Sequence, residues 1–147
     1  MTEPHVSLSK VLILKYGQIP EFTQSVRQAL ESFPAQILDI LHVEIYVNEE
    51  KTRTFLGLRV RGQSLDAMVD TLDVVLEDFG LPAFYETRSF HVSVLWALGD
   101  QEQLLRSRIG QVQSLLRRES HLFEQGVRVE ALECKCGNKI FKFNLTS

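Results

Sequence analysis

The sequence predicts an α+β protein built from two similar halves. A His-x-Ser pattern with apolar neighbours occurs twice, at His5-Val6-Ser7-Leu8 and at His91-Val92-Ser93-Val94. Each copy is followed by an amphipathic helical segment and then by a β-hairpin pattern. Such a repeat indicates two lobes related by a pseudo-two-fold axis, with antiparallel sheets lining a central cleft and helices outside.

The first half is predicted to contain a strand, a helix and a hairpin. Residues 4–9 form the strand, with Pro4 at its start, where a missing N–H is tolerated. A helix begins near Pro20 and ends before Pro34, because apolar residues recur there at helical spacing. Strands at 36–47 and 52–60 then form a hairpin around a polar turn.

The second half repeats this order after a linking helix at 64–79, which ends at Gly80. The strand that carries His91 follows, and Asp100 caps the next helix. The chain closes with a hairpin of strands at 127–134 and 140–145. We therefore expect one domain over residues 1–147, with lobe halves at about 4–62 and 89–146.

The composition is that of an ordinary soluble globular protein. The chain has 147 residues, of which 44% are hydrophobic and 24% charged, and it has no apolar run long enough to span a bilayer. The net charge of −3 does not decide for or against a nucleic-acid partner. Cys134 and Cys136 are expected to be free thiols, since a lone Cys-x-Cys without a second ligand pair is weak evidence for zinc. No metal and no cofactor are predicted.

The two His-x-Ser motifs form the candidate site. Side chains alternate along a strand, so His5 and Ser7 share one face, as do His91 and Ser93. Two histidines on opposite sides of a phosphodiester can act as base and acid in RNA transesterification. The two hydroxyls can hydrogen-bond the non-bridging oxygens. The other histidines, at positions 42 and 121, lack a Ser two residues on and are expected to be structural or at the surface.

Several other side chains near the motifs have two possible roles. Tyr85, in the loop before His91, is either a stacking platform for a base or a cover for the core, and spacing alone does not decide. Trp96 lies four positions after Val92, so in an unbroken strand the two side chains share a face, which favours core packing for Trp96. Four cations flank the hairpin turns, and solvated turn charge is favoured over phosphate contacts: Lys51, Arg53, Lys135 and Lys139.

With these motifs the sequence resembles the 2H phosphoesterase superfamily, which is defined by paired His-x-Ser/Thr-x strands. Within it, the chain is most similar to the U6 small nuclear RNA phosphodiesterase family. The resemblance covers the whole chain. It is carried by residues 5–9, Asn48-Glu49-Glu50-Lys51-Thr52-Arg53-Thr54-Phe55, Phe84-Tyr85, 90–93, Gly99-Asp100, Cys134-Lys135 and Gly137-Asn138-Lys139.

The resemblance implies a metal-independent 3′-to-5′ RNA exonuclease that trims uridine-rich 3′ ends of U6 small nuclear RNA and leaves a 2′,3′-cyclic phosphate. His5 and His91 would be the catalytic pair. We assign His91 as the base and His5 as the acid, an order that the symmetry of the two motifs does not decide. Ser7 and Ser93 would hold the phosphate, and Tyr85 would stack on the terminal base. The implied location is the nucleus, the partner is RNA rather than a membrane, and we expect a monomer.

The resemblance departs at the N-terminus, where members of the family carry a further strand and helix before the first motif. The internal repeat points to the same missing elements, so the sequence is expected to be a fragment or an alternative product. Two alternatives therefore stay open. The chain would be a 2′,3′-cyclic phosphodiesterase for another RNA, or a truncated, non-catalytic RNA-binding form.

Overall fold

The computed structural model describes residues 4–118 and 120–147 and has the predicted α+β fold. Its elements, in chain order, are a 3₁₀ turn (Tyr16–Gln18), α1 (Ile19–Leu30), β1 (Gln36–Val47), β2 (Arg53–Arg61), α2 (Leu65–Asp78), β3 (His91–Leu98), α3 (Glu102–Arg117), α4 (Ser120–Gln125), β4 (Val127–Val129), β5 (Ala131–Cys136) and β6 (Lys139–Asn144). Across the described ranges, every helix is too short or too polar to cross a membrane.

The chain divides into two compact units, each assembled from separate segments. Unit 1 contains the described residues up to Ser7 together with Leu38–Arg61 and Ser89–Val127. Unit 2 contains Leu8–Ile37, Gly62–Arg88 and Arg128–Ser147. Both units therefore draw on both halves of the sequence. Both His-x-Ser motifs lie in unit 1, because the chain passes to unit 2 at Leu8.

Unit 1 is built on an antiparallel sheet in which β2 lies between β1 and β3. One face of this sheet is apolar: Val43, Ile45 and Leu56 are buried there. One side of α3 packs on them through Leu105, Ile109, Val112 and Leu116. Burying these side chains between helix and sheet leaves the opposite face of the sheet free to carry polar groups.

Thr54 fixes the connection from β3 to α3. It is fully buried on β2, donates from Oγ1 to the carbonyl of Gly99 at 2.8 Å and accepts from the amide of Gln101 at 2.8 Å. Asp100 then accepts from the amide of Glu102 at 3.1 Å, but the N-cap residue of α3 is Gln101, so the predicted cap lies one residue too early. These bonds satisfy backbone groups that the first turn of a helix leaves unpaired.

Unit 2 packs α1 and α2 against the β5–β6 hairpin. Its core contains side chains from all three: Phe22, Val26, Leu30, Met68, Val75, Leu76, Phe143 and Leu145 are buried together. Gly80 ends α2 with φ of +66°, the left-handed conformation expected of a residue just past a helix. The hairpin turns at Gly137, whose φ is +63°.

The strand expected at residues 4–9 is much shorter in the structure. Only Val6 pairs, in a single antiparallel bridge with Val92. The physical reason is that Leu8 turns away and packs on the core of unit 2. The strand expected at 127–134 is also interrupted, since β4 and β5 are separate at Glu130.

Candidate active site

The bridge between Val6 and Val92 brings the two His-x-Ser motifs side by side within unit 1. In an antiparallel bridge, the residue that precedes the first partner lies opposite the residue that follows the second partner, and the reverse also holds. This register sets His5 opposite Ser93 and Ser7 opposite His91. Each serine therefore neighbours the histidine of the other motif.

The same register sets the faces of the two segments. Val6 and Val92 share one face, and the two histidines and two serines share the other. His5 and His91 are then diagonal neighbours, for which roughly 7–8 Å between side-chain origins is typical. His5, Ser7 and Ser93 are exposed and His91 is half-buried, so the cluster is open to a ligand. Two imidazoles at this spacing can reach opposite sides of one phosphate.

The ring of His91 is held in one orientation by its own backbone. Its Nδ1 lies 2.8 Å from the carbonyl oxygen of Ser89, which can only accept a hydrogen bond. Nδ1 therefore carries the hydrogen. In the neutral ring the other nitrogen, Nε2, is then left with a lone pair, which is the form that a general base requires.

Tyr46 covers one face of the His91 ring. The two rings are stacked, with centroids 3.9 Å apart and planes inclined by 19°. The Tyr46 hydroxyl donates to the Glu44 carboxylate at 3.2 Å and lies 3.0 Å from the Ser89 hydroxyl. Burial raises the pKa of Tyr46 above its usual value, so the phenol keeps its proton.

A directed chain of hydrogen bonds supports this stack. Arg59 donates from Nη1 to the Ser89 hydroxyl oxygen at 2.7 Å. Because the single proton of Tyr46 goes to Glu44, Ser89 donates its own proton to Tyr46. The chain therefore runs from Arg59 through Ser89 and Tyr46 to Glu44, and Arg59 Nη1 also lies 3.9 Å from Glu44 Oε2. The hydroxyl and carbonyl of Ser89 are both used to place the stack.

Gly57 makes room for the two rings. It lies on β2 between Tyr46 and His91, and a Cβ there would come within 3.1 Å of Tyr46 Cε2 and 3.3 Å of His91 Cδ2. The carbonyl of Val92 would be 3.2 Å away. Contacts this short are tighter than most that a Cβ makes, so a side chain at position 57 would have to displace its neighbours by a few tenths of an ångström. The glycine is favoured here by close approach rather than by its backbone angles.

Tyr85 belongs to unit 2, where its loop is fixed to α2. The ring is about half exposed, and the Lys10 ammonium lies 4.6 Å from its centroid. Just before Tyr85 in the chain, the amide of Phe84 donates to the Asp73 carboxylate at 3.0 Å. Three residues after it, Arg88 pairs with three acidic side chains of α2, namely Asp66, Asp70 and Asp73. Of the two roles that the sequence left open for Tyr85, a cover for the core does not fit a half-exposed ring.

The prediction that Trp96 packs in the core is wrong. Its side chain is 58% exposed, and the Arg53 guanidinium lies 5.0 Å from its ring centroid. The reason is a bulge: Ser93 pairs with Gly57 and Leu95 with Leu56, which leaves the residue between them without a partner. The extra residue reverses the parity of all positions after it.

The other residues that the sequence analysis considered, a histidine and two cysteines, lie outside the candidate site. His42 is exposed, and its Nε2 lies 3.3 Å from Glu44 Oε2, as expected for a surface position. Cys134 and Cys136 are free thiols with sulfur atoms 3.7 Å apart. Among residues 4–118 and 120–147 we find no group of three or more His, Cys, Asp or Glu side chains arranged to hold a metal ion.

Five residues of the site were not found from the sequence: Glu44, Tyr46, Gly57, Arg59 and Ser89. A glycine inside an apolar strand often marks a close approach of backbone or ligand, so position 57 carried a usable indication. The tyrosine lies on an alternating strand with no feature that distinguishes it from other half-buried positions. Its role follows only from the pairing of three strands.

Curated relatives are similar to nearly the whole chain but are about twice as long. The U6 snRNA phosphodiesterase 1 of Drosophila melanogaster is 38% identical over 144 residues, which cover 96% of this chain and 55% of that protein. The protein of the same name from Homo sapiens is 38% identical over 149 residues, with 96% and 55% covered. The chain thus spans about half the length of the curated relatives it matches.

Two solved structures have a similar fold. The structure of Kluyveromyces marxianus Usb1 with uridine monophosphate superposes with a TM-score of 0.62 at 19% identity, covering 99% of this chain and 76% of that one. A second structure of Kluyveromyces marxianus Usb1 gives a TM-score of 0.57 at 22% identity and covers 99% of this chain and 77% of that one. At this identity the likeness shows the fold alone: the chain has the mixed helix and sheet fold of Usb1.

A family model completes these comparisons. The HVSL model, described as an uncharacterised conserved protein, matches residues 1–144. Its four letters are also the residues of the first motif here, His5-Val6-Ser7-Leu8. The match includes both motifs and every strand that supports them, and on this evidence the chain belongs to the HVSL family.

Proposed function

We propose that this chain is an RNA phosphodiesterase that works as a metal-independent 3′-to-5′ exonuclease. Its substrate would be the uridine-rich 3′ end of U6 small nuclear RNA, in the nucleus. The observation that carries the proposal is the Val6–Val92 bridge, which sets both histidines and both serines on one face of unit 1. The names of the curated relatives, U6 snRNA phosphodiesterase 1, support this choice of substrate.

His91 is the general base in this proposal. With its Nδ1 hydrogen committed to the Ser89 carbonyl, Nε2 accepts the proton from a ribose 2′-OH. The 2′ oxygen then attacks the neighbouring phosphorus, and the bond from phosphorus to the 5′ oxygen of the next nucleotide breaks. The trimmed RNA retains a 2′,3′-cyclic phosphate, and the released nucleoside carries a 5′ hydroxyl.

His5 is the general acid and protonates the departing 5′ oxygen. The register sets it diagonally across from His91, so the two rings address opposite sides of the phosphorus. Ser7 and Ser93 donate hydrogen bonds to the non-bridging oxygens, on which negative charge increases in the transition state. The orientation of His91 supports this division of roles, since its Nε2 can take a proton when the ring is neutral.

Tyr85 stacks on the terminal base in this proposal. Half of the ring surface is open, and an aromatic face accepts any base without reading its sequence. The Lys10 ammonium close to the ring adds positive charge where a nucleotide would lie. A preference for uridine would have to come from hydrogen bonds to the base edge rather than from the stack.

The test is shortening of a 5′-labelled oligouridine with a free 3′ hydroxyl, in EDTA. We expect successively shorter products that end in a cyclic phosphate. His5→Ala and His91→Ala should each slow the reaction by about 100-fold or more, the usual contribution of acid–base catalysis. His121→Ala is the matched control, since it removes an exposed histidine of α4 outside both motifs.

Three results would overturn the proposal. Absence of shortening by the native chain would contradict an exonuclease. Shortening that survives both motif substitutions would contradict this site. Opening of a pre-formed 2′,3′-cyclic phosphate with no change of RNA length would assign the chain to the cyclic phosphodiesterases instead.

A further inference from the structure

The bulge in β3 brings Trp96 onto the face of the sheet that carries His91. Before the bulge Ser93 lies opposite Gly57, and after it Trp96 lies opposite Phe55. Phe55 and Gly57 are two positions apart on β2 and therefore share a face. Ser93 and Trp96 consequently share that face too, although an uninterrupted strand would place them on opposite sides.

The surface formed by Trp96 and Arg53 is open. Trp96 is the one tryptophan of the chain, and more than half of its side chain is accessible. Arg53 is exposed on β2 and holds its guanidinium beside the indole ring. A flat aromatic surface beside a cation is the combination with which single-stranded nucleic acid is held, by base stacking and by a phosphate contact.

The separation from the catalytic motif is longer than a side-chain contact. Trp96 lies five positions after His91, one of them taken up by the bulge, which corresponds to about 13 Å along the strand. A base on Trp96 would therefore belong to a different nucleotide from the one whose phosphate lies at the histidines.

We propose that Trp96 and Arg53 form a second nucleotide position for single-stranded RNA, at which one base stacks on the indole and Arg53 contacts a phosphate. The inference rests on the proposed function, since it concerns the same RNA strand. It predicts that the protein distinguishes RNA by length, because a dinucleotide at the histidines cannot also reach Trp96.

The fluorescence of the native chain tests this directly, because its only tryptophan is the proposed contact. A 2′-O-methylated uridine decamer, which has no nucleophile, is titrated into the protein. We expect saturable quenching that the corresponding dinucleotide does not produce. Binding is followed in parallel by the anisotropy of labelled decamer. Binding without quenching, or no binding at all, would overturn the inference.

Variants of the strand separate stacking from general effects. Trp96→Ala should weaken decamer binding by roughly 5- to 100-fold, the range expected for one stacked base, and Trp96→Phe should restore part of it. Leu95→Ala is the matched control, since Leu95 is also 61% exposed on β3 but follows the other parity. Equal losses in Trp96→Ala and Leu95→Ala would contradict the proposal.

The phosphate contact has its own measurement. For single strands the slope of log K against log salt is about 0.7 per neutralised phosphate, so Arg53→Gln should reduce it by about that amount. Arg61→Gln, on the same strand and paired with Asp39, should leave the slope unchanged. Quenching by the methylated decamer, together with no shortening of an unmodified oligouridine, would support this position while the proposed function fails, so the two proposals are distinguishable.

Discussion

Tyr46 lies flat against His91, with 3.9 Å between ring centroids, although the two residues belong to strands that are not adjacent in the sheet. The strand between them contributes Gly57, whose missing side chain leaves the space. One face of the imidazole and its Nδ1 are therefore both committed to the protein. Nε2 is the part of the ring left to meet a substrate.

Removing the Tyr46 hydroxyl should lower activity, because the hydrogen bonds that hold its ring against His91 are lost. Tyr46→Phe keeps the stack but deletes the bonds to Ser89 and Glu44, which are worth about 0.5–1.5 kcal/mol each. We expect kcat to fall roughly 2- to 10-fold with little change in KM, and Tyr46→Leu to lower it further. Tyr16→Phe, at an 80% exposed position, should have no effect.

The His91 imidazole reports on the same substitution without any substrate. The NMR chemical shifts of its ring protons should change in Tyr46→Phe, since the stacked phenol ring loses the bonds to Glu44 and Ser89 that hold it in place. Unchanged ring-proton shifts together with an unchanged kcat would show that Tyr46 only fills space.

Adding one carbon at Gly57 should displace His91. The new Cβ would meet Tyr46, His91 and the Val92 carbonyl at 3.1–3.3 Å, and crowding of this kind costs about 1–3 kcal/mol. We expect Gly57→Ala to unfold at lower urea concentration and to lose most of its activity. The control is Gly110→Ala in the exposed part of α3, where nothing lies within 4 Å and stability should rise by about 0.5–1 kcal/mol. Full activity of Gly57→Ala would contradict the stacked arrangement.

The loop that carries Tyr85 depends on Arg88. Arg88→Ala would leave three α2 carboxylates without their shared cation, while exposed pairs contribute only about 0–1 kcal/mol each. We therefore expect a modest loss of global stability but clearly faster hydrogen exchange at the amides of residues 83–88. Arg106→Ala, which breaks an exposed pair with Glu102 on α3, serves as the control. Unchanged exchange in that segment would mean that Arg88 does not hold the loop.

High pH should destabilise the fold through Cys134. Burial, followed by the contact with Cys136, raises the pKa of this thiol to about 12 from an ordinary value of 9.0. In the unfolded chain the thiol ionises near pH 9, whereas in the folded chain it stays neutral, so its contribution is fully present below pH 9 and is lost between pH 9 and 12.

Urea unfolding in reductant at pH 8 and pH 10.5 measures this contribution. The native chain should lose more stability over that interval than Cys134→Ala. Cys136→Ala retains the burial of Cys134, which is the larger cause, and should behave more like the native chain. Identical losses in the native chain and in Cys134→Ala would remove the thiol from the explanation.

The sequence predicted much of the fold because local patterns encode it. The stripe of apolar residues from Leu65 to Leu76 gave α2, and Gly80 marked its end. The alternation within β1 and the polar turn after it gave the hairpin with β2. In each case the deciding interactions lie within one element or between neighbours in the chain.

Trp96 shows where such patterns fail. The face on which Trp96 lies was predicted by counting positions along an unbroken strand. The bulge before Leu95 arises only when β3 pairs with β2. Nothing in the local sequence marks which residue of a strand will be left without a partner. The error placed an exposed aromatic side chain in the core.

By itself the sequence determined the two His-x-Ser motifs, the α+β class and which side chains of each motif share a face, since all three follow from composition and a period of two. Only the tertiary structure decided that the first motif joins β3 through a single bridge at Val6. It also decided that His91 is held between Ser89 and Tyr46. The physical reason is that these contacts join positions far apart in the chain, and their geometry depends on strand register, which no local pattern specifies.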